Sequence, residues 1–202
     1  MTPMVTMVAL DSTFMLQEGD EVPSFELPGV DGSTYTPESF ADREALLLVV
    51  TCNHCPYAQA KFDLLNDLAD VYEEVAVVGV NPNDAEQYPE DSVAEMEAYV
   101  ADGRVDYDAY LRDESQRLAA DLGAVCTPDP YLFANRDGAF RLAYHGRLDD
   151  ALNPDEEPSR LHVREAIDAV LAGEEVDLEW EPSRGCSIKW REGNEPDYWD
   201  EV

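Results

Sequence analysis

The chain has 202 residues, 45% of them hydrophobic, which suits one folded domain with its own core and excludes an intrinsically disordered protein. No apolar run approaches the roughly 18 residues that a membrane-spanning helix needs. The 45 acidic and 13 basic residues give a formal net charge of −32, which disfavours nucleic acid and membrane surfaces as partners, because phosphate contacts need basic patches.

The first 40 residues contain no long periodic segment. Residues 1–15 are interpreted as a loose lead-in, and they contain no Lys or Arg, so they lack the positive region of a signal peptide. We therefore expect a cytoplasmic protein. Residues 18–40, "EGDEVPSFELPGVDGSTYTPESF", predict short extended pieces around a turn at residues 30–33.

A strand–helix–strand pattern follows. Residues 45–50, "ALLLVV", and residues 75–80, "VAVVGV", are continuous apolar runs of the kind found in strands buried on both faces. Between them, apolar residues recur at three- and four-residue steps from Ala58 to Tyr72, which indicates one amphipathic helix. Short connections predict a right-handed βαβ unit.

The second half predicts further helices and a hairpin. Residues 92–103 and 114–123 are interpreted as helices that each end on a glycine. Residues 131–144 predict a hairpin with its turn at Asn135-Arg136-Asp137-Gly138. Residues 157–173 predict a helix with Ser159 as a candidate cap and Gly173 as its end.

The last part of the chain differs in composition from the rest. Residues 174–202 are rich in acids, Trp and Pro, and we interpret them as an extension packed on a domain of residues 16–173. Its three tryptophans, Trp180, Trp190 and Trp199, are expected to pin the extension onto the domain.

Two of the four cysteines, Cys52 and Cys55, form a Cys-x-x-Cys motif between the first buried run and the helix. In a chain without a secretion signal, this spacing indicates redox chemistry or metal binding. Backbone N–H groups at the first turn of a helix favour thiolate over thiol, and we expect this effect at Cys52. Pro56 fits the first turn, where it loses no helical hydrogen bond.

Other interpretations of these residues stay open. The two cysteines could be ordinary buried residues, or metal ligands together with Cys126 and Cys186 or His54, although a second Cys-x-x-Cys is absent. His54 could be filler in a tight turn or a group that stabilises the thiolate. The other histidines, His145 in a strand and His162 on a helix surface, are given no role.

The segment "GAVCTPDPYLF" places Thr127-Pro128 just before the hairpin. Here the chain resembles the thioredoxin fold, in which a cis-proline at this location packs against the dithiol. The resemblance implies an α/β fold with a central mixed β-sheet flanked by helices, a cis peptide at Pro128, and a position for Cys126 near the rim of the dithiol.

Motifs in order along the chain extend this resemblance. They are "GDEVPSFELPGVDG", "CNHCPY", "VNPND", "YPED", "RDESQ", "CTPDPYLF", "GRLDD" and "GCSIKW". Over residues 17–191 they resemble a thioredoxin-like family related to peroxiredoxins, in the redoxin group that includes alkyl hydroperoxide reductases and thiol-specific antioxidant proteins. The resemblance implies an antioxidant or thiol redox role, with no cofactor and no metal, for a "CNHCPY" subgroup.

Two departures separate the chain from its relatives. The peroxiredoxin pattern P-x-x-x-(T/S)-x-x-C, anchored on Cys55, would need Pro at position 48 and Ser or Thr at position 52, but the chain has Leu48 and Cys52. Thioredoxins keep a buried carboxylate on the strand before the dithiol, whereas residues 45–51 contain no acid. Another group, such as His54 or water, is then expected to take the proton from the second cysteine.

These residues predict a thiol–disulfide oxidoreductase. Cys52 would attack a partner disulfide, Cys55 would resolve the mixed disulfide, and His54 would stabilise the Cys52 thiolate. Thr127 and Pro128 would complete the site. A resolving role on a mobile tail is weighed for Cys186, and packing is favoured over redox chemistry for Cys126.

The expected partners are protein or small-molecule disulfides and an unidentified thiol reductant. The alternatives are a peroxiredoxin-like peroxidase that reduces hydroperoxides, and a metal-binding or redox-sensing module. The acidic residues cover both halves of the chain, and this pattern resembles cytoplasmic proteins of salt-accumulating halophiles. We therefore expect a halophilic source.

Overall fold

The computed structural model describes residues 8–202, so the first seven residues of the predicted lead-in lie outside the described part of the chain. The strands are β1 (Ala9–Asp11), β2 (Leu27–Pro28), β3 (Thr34–Tyr35), β4 (Ala45–Val50), β5 (Val75–Asn81), β6 (Ala109–Arg112), β7 (Cys126–Thr127), β8 (Asp129–Arg136), β9 (Ala139–His145) and β10 (Arg184–Ser187). The α-helices are α1 (Pro56–Gln59), α2 (Phe62–Val71), α3 (Val93–Ala101), α4 (Arg117–Leu122) and α5 (His162–Leu171). Short 3-10 turns cover Pro37–Phe40, Pro89–Asp91 and Asp197–Glu201.

The central sheet is mixed, with strand order β6-β5-β4-β8-β9. Strands β4, β5 and β6 are parallel, whereas β8 pairs antiparallel with both β4 and β9. The predicted βαβ unit and the predicted hairpin are therefore confirmed. So is the expected α/β architecture, a mixed sheet flanked by helices.

Strand β4 is buried on both faces, as its apolar run predicts. Side chains alternate across a strand, so one set of three residues enters the hydrophobic cluster on one face and the other set enters the cluster on the opposite face. The first set is Leu46, Leu48 and Val50, and the second is Ala45, Leu47 and Val49. Its carboxyl end leads directly to the Cys-x-x-Cys motif.

The single helix predicted from Ala58 to Tyr72 is divided in two. The Lys61 N–H donates to the Ala58 carbonyl oxygen at 3.0 Å, a tight turn that ends α1 before α2 begins. The Lys61 ammonium donates to the Asp149 carboxylate at 2.6 and 2.8 Å. This buried partner fixes the break, and periodicity could not reveal it.

Two predicted helix starts are wrong, since long-range contacts decide them. Helix α4 begins three residues later than expected, because Gln116 adopts φ 62° while its amide donates to the Lys189 carbonyl at 2.9 Å. Ser159 does not cap α5, because its hydroxyl donates to the Asp150 carboxylate and Leu161 is the N-cap residue. Helix α5 starts at His162, which is buried rather than on the helix surface.

The two ends of the described chain meet in a second sheet, with order β1-β10-β7. The predicted lead-in is therefore not loose over Ala9–Asp11, and the predicted extension contributes an internal strand. Trp190 is buried, and Trp180 and Trp199 pack against the core, so the tryptophans pin the extension as expected. Within residues 8–202, no helix combines the length and the apolar character needed to cross a membrane.

Candidate active site

The dithiol lies where β4 ends and α1 begins. Cys55 is the N-cap residue of α1 and Pro56 its first residue, as the sequence predicts. Both cysteines are 0% exposed. A hydrophobic cluster that includes Phe62 and Met96 surrounds the sulfur atoms.

Thr127 contacts both thiols from across the chain. The Cys52 Sγ lies 3.3 Å from Thr127 Oγ1, and the protonated Cys55 thiol donates to the Thr127 carbonyl oxygen at 3.4 Å. The Thr127-Pro128 peptide bond is cis, which confirms the conformation expected at Pro128. Residues 75 positions apart in the sequence thus form one site.

Asn53 holds the loop between the two cysteines in place. Its N–H donates to the Asp91 carboxylate at 2.7 Å, and its amide nitrogen donates to the Glu90 carbonyl oxygen at 2.9 Å. Its side-chain oxygen accepts from the Tyr110 hydroxyl at 2.7 Å, and its carbonyl oxygen accepts from the Gln59 amide at 2.7 Å. The backbone between the thiols is therefore fixed by neighbours from three other elements.

His54 forms a pair with the fully buried Asp91. Its Nδ1 lies 2.5 Å from Asp91 Oδ2, and its ring stacks on Tyr88 with a centroid distance of 5.3 Å. The Asp91 carboxylate also accepts from the side-chain amides of Asn83 at 2.8 Å and Asn81 at 3.3 Å. These contacts orient the imidazole.

Burial and pairing act in opposite directions on this pair, and pairing is stronger. Burial lowers the pKa of His54, but the Asp91 carboxylate raises it above its ordinary value. Burial raises the pKa of Asp91, but His54 and the amide donors lower it below its ordinary value. The charged pair, imidazolium and carboxylate, is the favoured form near neutral pH.

Sequence reasoning did not identify Asp91. The signal was present in "VNPND" and "YPED", two polar motifs that follow a buried parallel strand. The carboxyl ends of β4 and β5 lie at the same edge of the sheet, so the segment after β5 had to pass close to the dithiol. Asp91 supplies the buried carboxylate that residues 45–51 lack, from a different element.

The two thiols differ in acidity, in the opposite sense to the one predicted. Burial, a hydrogen bond to Cys55 and the Asp91 charge raise the pKa of Cys52. Burial also raises the pKa of Cys55, but hydrogen bonds from the thiols of Cys186 and Cys52 and from the N–H groups of Ala58 and Cys186 bring it well below its ordinary value. The arrangement therefore favours a thiolate at Cys55, because the N-cap position collects donors.

The remaining cysteines occupy different environments. Cys186 lies in β10, buried in the same cluster as the dithiol, and not on the mobile tail that was weighed as an alternative. Cys126 precedes Thr127 in β7 and pairs with Ser187, so its side chain points to the other face of the strand. Burial raises the pKa of Cys126, in keeping with the packing role favoured for it.

One group of three side chains within residues 8–202 has the geometry to hold a metal ion. It consists of Cys52, His54 and Asp91, whose ligand atoms lie within 4.8 Å of one another. It is not the set of cysteines considered from the sequence. Both Asp91 oxygens already accept hydrogen bonds, so a metal ion would have to replace them.

The sequence profile of the AhpC/TSA family matches residues 18–142, more than half of the chain. The chain belongs to the AhpC/TSA family. This family member is 38% identical to an uncharacterized conserved protein from Geobacillus kaustophilus whose crystal structure has a TM-score of 0.83 to it, with 92% of this chain and 97% of that chain covered.

Relatives whose names state a function share less sequence identity with this chain. A thiol:disulfide interchange protein DsbE from Haemophilus influenzae is 29% identical over 143 residues, which cover 70% of this AhpC/TSA member and 72% of that protein. A putative thiol:disulfide interchange protein DsbE from Chlorobium tepidum shares 19% identity, with a TM-score of 0.58 over 77% of this chain and 99% of that one. The second likeness concerns the fold alone, and with the sheet order and the cis-proline it confirms the predicted thioredoxin fold.

Proposed function

We propose that this AhpC/TSA family member is a thiol–disulfide oxidoreductase that cycles Cys52 and Cys55 between a dithiol and a disulfide. The observation that carries the proposal is the contact of both thiols with Thr127, beside the cis-proline. The relatives named thiol:disulfide interchange proteins support the same reaction class. The proposed substrates are protein or small-molecule disulfides, and a thiol reductant would regenerate the dithiol.

In the first step the Cys55 thiolate attacks one sulfur of a partner disulfide. A mixed disulfide forms at Cys55, the partner's S–S bond breaks, and the partner's other sulfur leaves as a thiolate. The His54 imidazolium supplies the proton that this leaving sulfur takes up. The Asp91 carboxylate fixes the imidazole orientation during the transfer.

In the second step Cys52 resolves the mixed disulfide. The now neutral imidazole takes the Cys52 proton after a small side-chain movement or through one water molecule, because a ring nitrogen of His54 lies within 4.8 Å of the Cys52 Sγ. The Cys52 thiolate attacks the Cys55 sulfur, the Cys52–Cys55 disulfide forms, and the second partner thiolate leaves. The partner disulfide is reduced by two electrons, the dithiol is oxidised by two, and His54 ends in its starting state.

Burial of both sulfur atoms shapes how partners gain access. Cys52 and Cys55 are 0% exposed, whereas the His54 side chain at the mouth of the site is 15% exposed. A partner disulfide therefore reaches Cys55 only after a local displacement of the covering side chains. This requirement favours partners that bind first and exchange afterwards.

Trapping of the mixed disulfide tests the proposal. The Cys52→Ser/Cys186→Ser variant keeps Cys55 but lacks both neighbouring thiols, so a reduced sample mixed with a model protein disulfide should accumulate a covalent adduct on Cys55. Cys126→Ser, a buried cysteine on the opposite face of β7, is the matched control and should retain turnover. Loss of exchange in every variant, with the wild type equally inactive towards disulfides, would reject the function.

A second candidate, a thiol peroxidase, is favoured by the low pKa of Cys55 at the position of the peroxide-reactive cysteine. The Cys55 thiolate would attack a hydroperoxide oxygen and the O–O bond would break, which leaves sulfenic acid on Cys55. The departing alkoxide would take a proton from the His54 imidazolium and leave as an alcohol. The Cys52 thiol would condense with it to give the disulfide and water. Sulfenic acid that accumulates on Cys55 of the Cys52→Ser/Cys186→Ser variant after hydroperoxide treatment, with fast peroxide consumption by the wild type, would favour this candidate over disulfide exchange.

The cytoplasmic location expected from the sequence stays a prediction. The proposal places the dithiol in a reducing compartment, where a thiol reductant keeps it reduced. Cell fractionation with thiol trapping at harvest would test both the compartment and the redox state. A protein recovered outside the cytoplasm and fully oxidised would contradict this part of the proposal.

A further inference from the structure

Cys186 lies on the same face as the contact between Thr127 and the dithiol. Strand β10 runs antiparallel to β7, and Cys186 is the direct partner of Thr127 in that ladder. Direct partners in an antiparallel ladder carry their side chains on the same face. Because the Thr127 hydroxyl contacts Cys52, this register brings the Cys186 thiol to the dithiol as well.

Cys186 packs beside Cys55. Both side chains lie in one buried cluster together with Cys52, and the Cys186 thiol and N–H group help to lower the pKa of Cys55. Helix α1 packs on β10, and this contact keeps the Cys55 and Cys186 side chains next to each other. Cys55 thus has two thiol neighbours, Cys52 on the loop side and Cys186 on the strand side.

Gly185 makes this approach possible. A Cβ atom at position 185 would lie 1.9 Å from the Thr127 carbonyl oxygen, closer than any side chain can come to backbone. Glycine removes that obstacle, so β10 lies directly against the Thr127-Pro128 segment. Cys186, the next residue, is thereby placed at the dithiol by the backbone itself.

We propose that Cys186 is a third redox thiol of this site and forms an alternative disulfide with Cys55. The proposal rests on the thiol–disulfide function proposed above. After substrate reduction has produced the Cys52–Cys55 disulfide, the Cys186 sulfur attacks the Cys55 sulfur, the Cys52–Cys55 bond breaks, and the Cys55–Cys186 bond forms. The proton that Cys186 loses is taken up by Cys52, so the exchange needs neither oxidant nor reductant.

The exchange gives the site a second resolving route. A mixed disulfide on Cys55 can be resolved from the strand side when Cys52 is blocked by alkylation or oxidation. The product disulfide ties α1 to β10 and leaves Cys52 as a free thiol next to His54. Cys126 has no part in this route, because it points to the opposite face of β7.

Tryptic peptides distinguish the two disulfides directly. Cleavage after Arg43 and Lys61 leaves Cys52 and Cys55 together in the peptide of residues 44–61, whereas Cys186 lies in the peptide of residues 185–189. A Cys52–Cys55 bond is therefore internal to one peptide, and a Cys55–Cys186 bond joins two. Four full-length proteins are oxidised with glutathione disulfide: the wild type, Cys52→Ser, Cys52→Ser/Cys186→Ser and Cys126→Ser. Free thiols are then alkylated, and the monomer band is digested and analysed by mass spectrometry.

The cross-linked peptide pair is expected in Cys52→Ser, and it should be lost completely in Cys52→Ser/Cys186→Ser. Cys126→Ser should show the same disulfides as the wild type. If Cys52→Ser keeps free thiols at Cys55 and Cys186 while the wild type forms the Cys52–Cys55 bond, the third-thiol proposal is overturned and the proposed function stands. If the wild type forms neither bond, the proposed function itself fails.

Discussion

Asp91 organises the site at the scale of single residues. Its buried carboxylate accepts hydrogen bonds from the Asn53 backbone, from His54 and from two asparagine side chains. A buried charge is tolerated only when it is paired and fully hydrogen-bonded, so this network keeps the carboxylate charged beside two thiols. His54 is thereby held as a proton carrier rather than as turn filler.

We expect Asp91→Asn to destabilise the protein by about 3 kcal/mol, because the charged His54 imidazole loses its buried partner. The new side-chain NH2 group would also face the N–H groups that now donate to the Asp91 carboxylate. Chemical denaturation monitored by far-UV circular dichroism measures the loss. Asp102→Asn is the control, since its exposed carboxylate pairs with Arg104 at the surface and its loss should change stability by less than about 0.5 kcal/mol. Equal effects of the two substitutions would contradict the role given to Asp91.

The pair also predicts a pH dependence. The pKa of His54 is raised on folding, so its contribution is complete below about pH 6.5 and is lost as the pH rises through the folded-state value. The pKa of Asp91 is lowered, so its contribution is complete above about pH 4 and is lost as the pH falls through the folded-state value. The stability difference between the wild type and His54→Gln should therefore be largest between about pH 4 and pH 6.5. A difference that grows from pH 7 to pH 9 would contradict this pairing.

The acidity of Cys55 has its own signature. Because the pKa of Cys55 is lowered by its four donors, the rate of its reaction with iodoacetamide should stay nearly constant as the pH falls from 8 to 6. An ordinary thiol with a pKa of about 8.5 would lose about tenfold per pH unit over part of this range. Fragmentation of the 44–61 peptide assigns the label. Preferential labelling of Cys52, with a rate that stays constant over the same pH range, would restore the assignment expected from the sequence.

At the scale of elements, the site depends on how closely β10 approaches β7. The two strands pair at Cys186–Thr127 and Ser187–Cys126, so this ladder aligns both thiol-bearing segments with the cis-proline. Strand β1 covers the other edge of β10 and pairs with it from Ala9 to Asp11. The segment that carries Cys186 is therefore an interior strand, fixed on both sides.

Gly185→Ala should destabilise the protein by about 3 kcal/mol, because the added Cβ would force β10 away from the Thr127 carbonyl. The same displacement should reduce the Cys55–Cys186 cross-link. Ser187→Ala, in the same strand, adds no atom at the contact and serves as the control, with a cost of about 1 kcal/mol at most for the lost Lys189 hydrogen bond. Thermal unfolding measures the loss. A Gly185→Ala variant that unfolds at the same temperature as the wild type would contradict the packing argument.

At the scale of the whole molecule, a well-buried core opposes a strongly repulsive surface. Hydrophobic clusters cover both faces of the central sheet, while the chain carries a net charge of −32. Exposed charges repel one another over a distance of about 10 Å at 0.1 M salt, and this distance falls to about 3 Å at 1 M. Stability should therefore depend on ionic strength.

We expect the midpoint of thermal unfolding to rise by more than about 4 °C between 0.05 M and 2 M KCl, which corresponds to roughly 1–2 kcal/mol for a chain of this size. The measurement is a thermal melt followed by circular dichroism. Sucrose at matched osmolality is the control, because it stabilises by exclusion from the surface without screening charge. Equal gains in KCl and sucrose would argue against charge repulsion and against the halophilic source expected from the sequence.

Local patterns predicted the frame of the molecule well. Strands β4 and β5 lie within one residue of their predicted bounds, because a strand buried on both faces must be apolar at every position. The glycines that end α4 and α5 also lie where expected, with left-handed φ angles of 75° and 73°. The starts of α4 and α5 were missed because Gln116 and Ser159 bond to partners outside their own helices, at Lys189 and Asp150.

The sequence by itself determined the mixed sheet, the place of the dithiol at the end of a buried strand, and the cis-proline segment that faces it. Local apolar periodicity and the ordered family motifs carry this information, since both depend on neighbours along the chain. Only the tertiary structure decided that Asp91 pairs with His54, that Cys55 rather than Cys52 collects the hydrogen-bond donors, and that Cys186 joins them. These properties depend on distances between segments far apart in sequence, where burial and a few ångströms of approach determine which charge and which thiolate are stable.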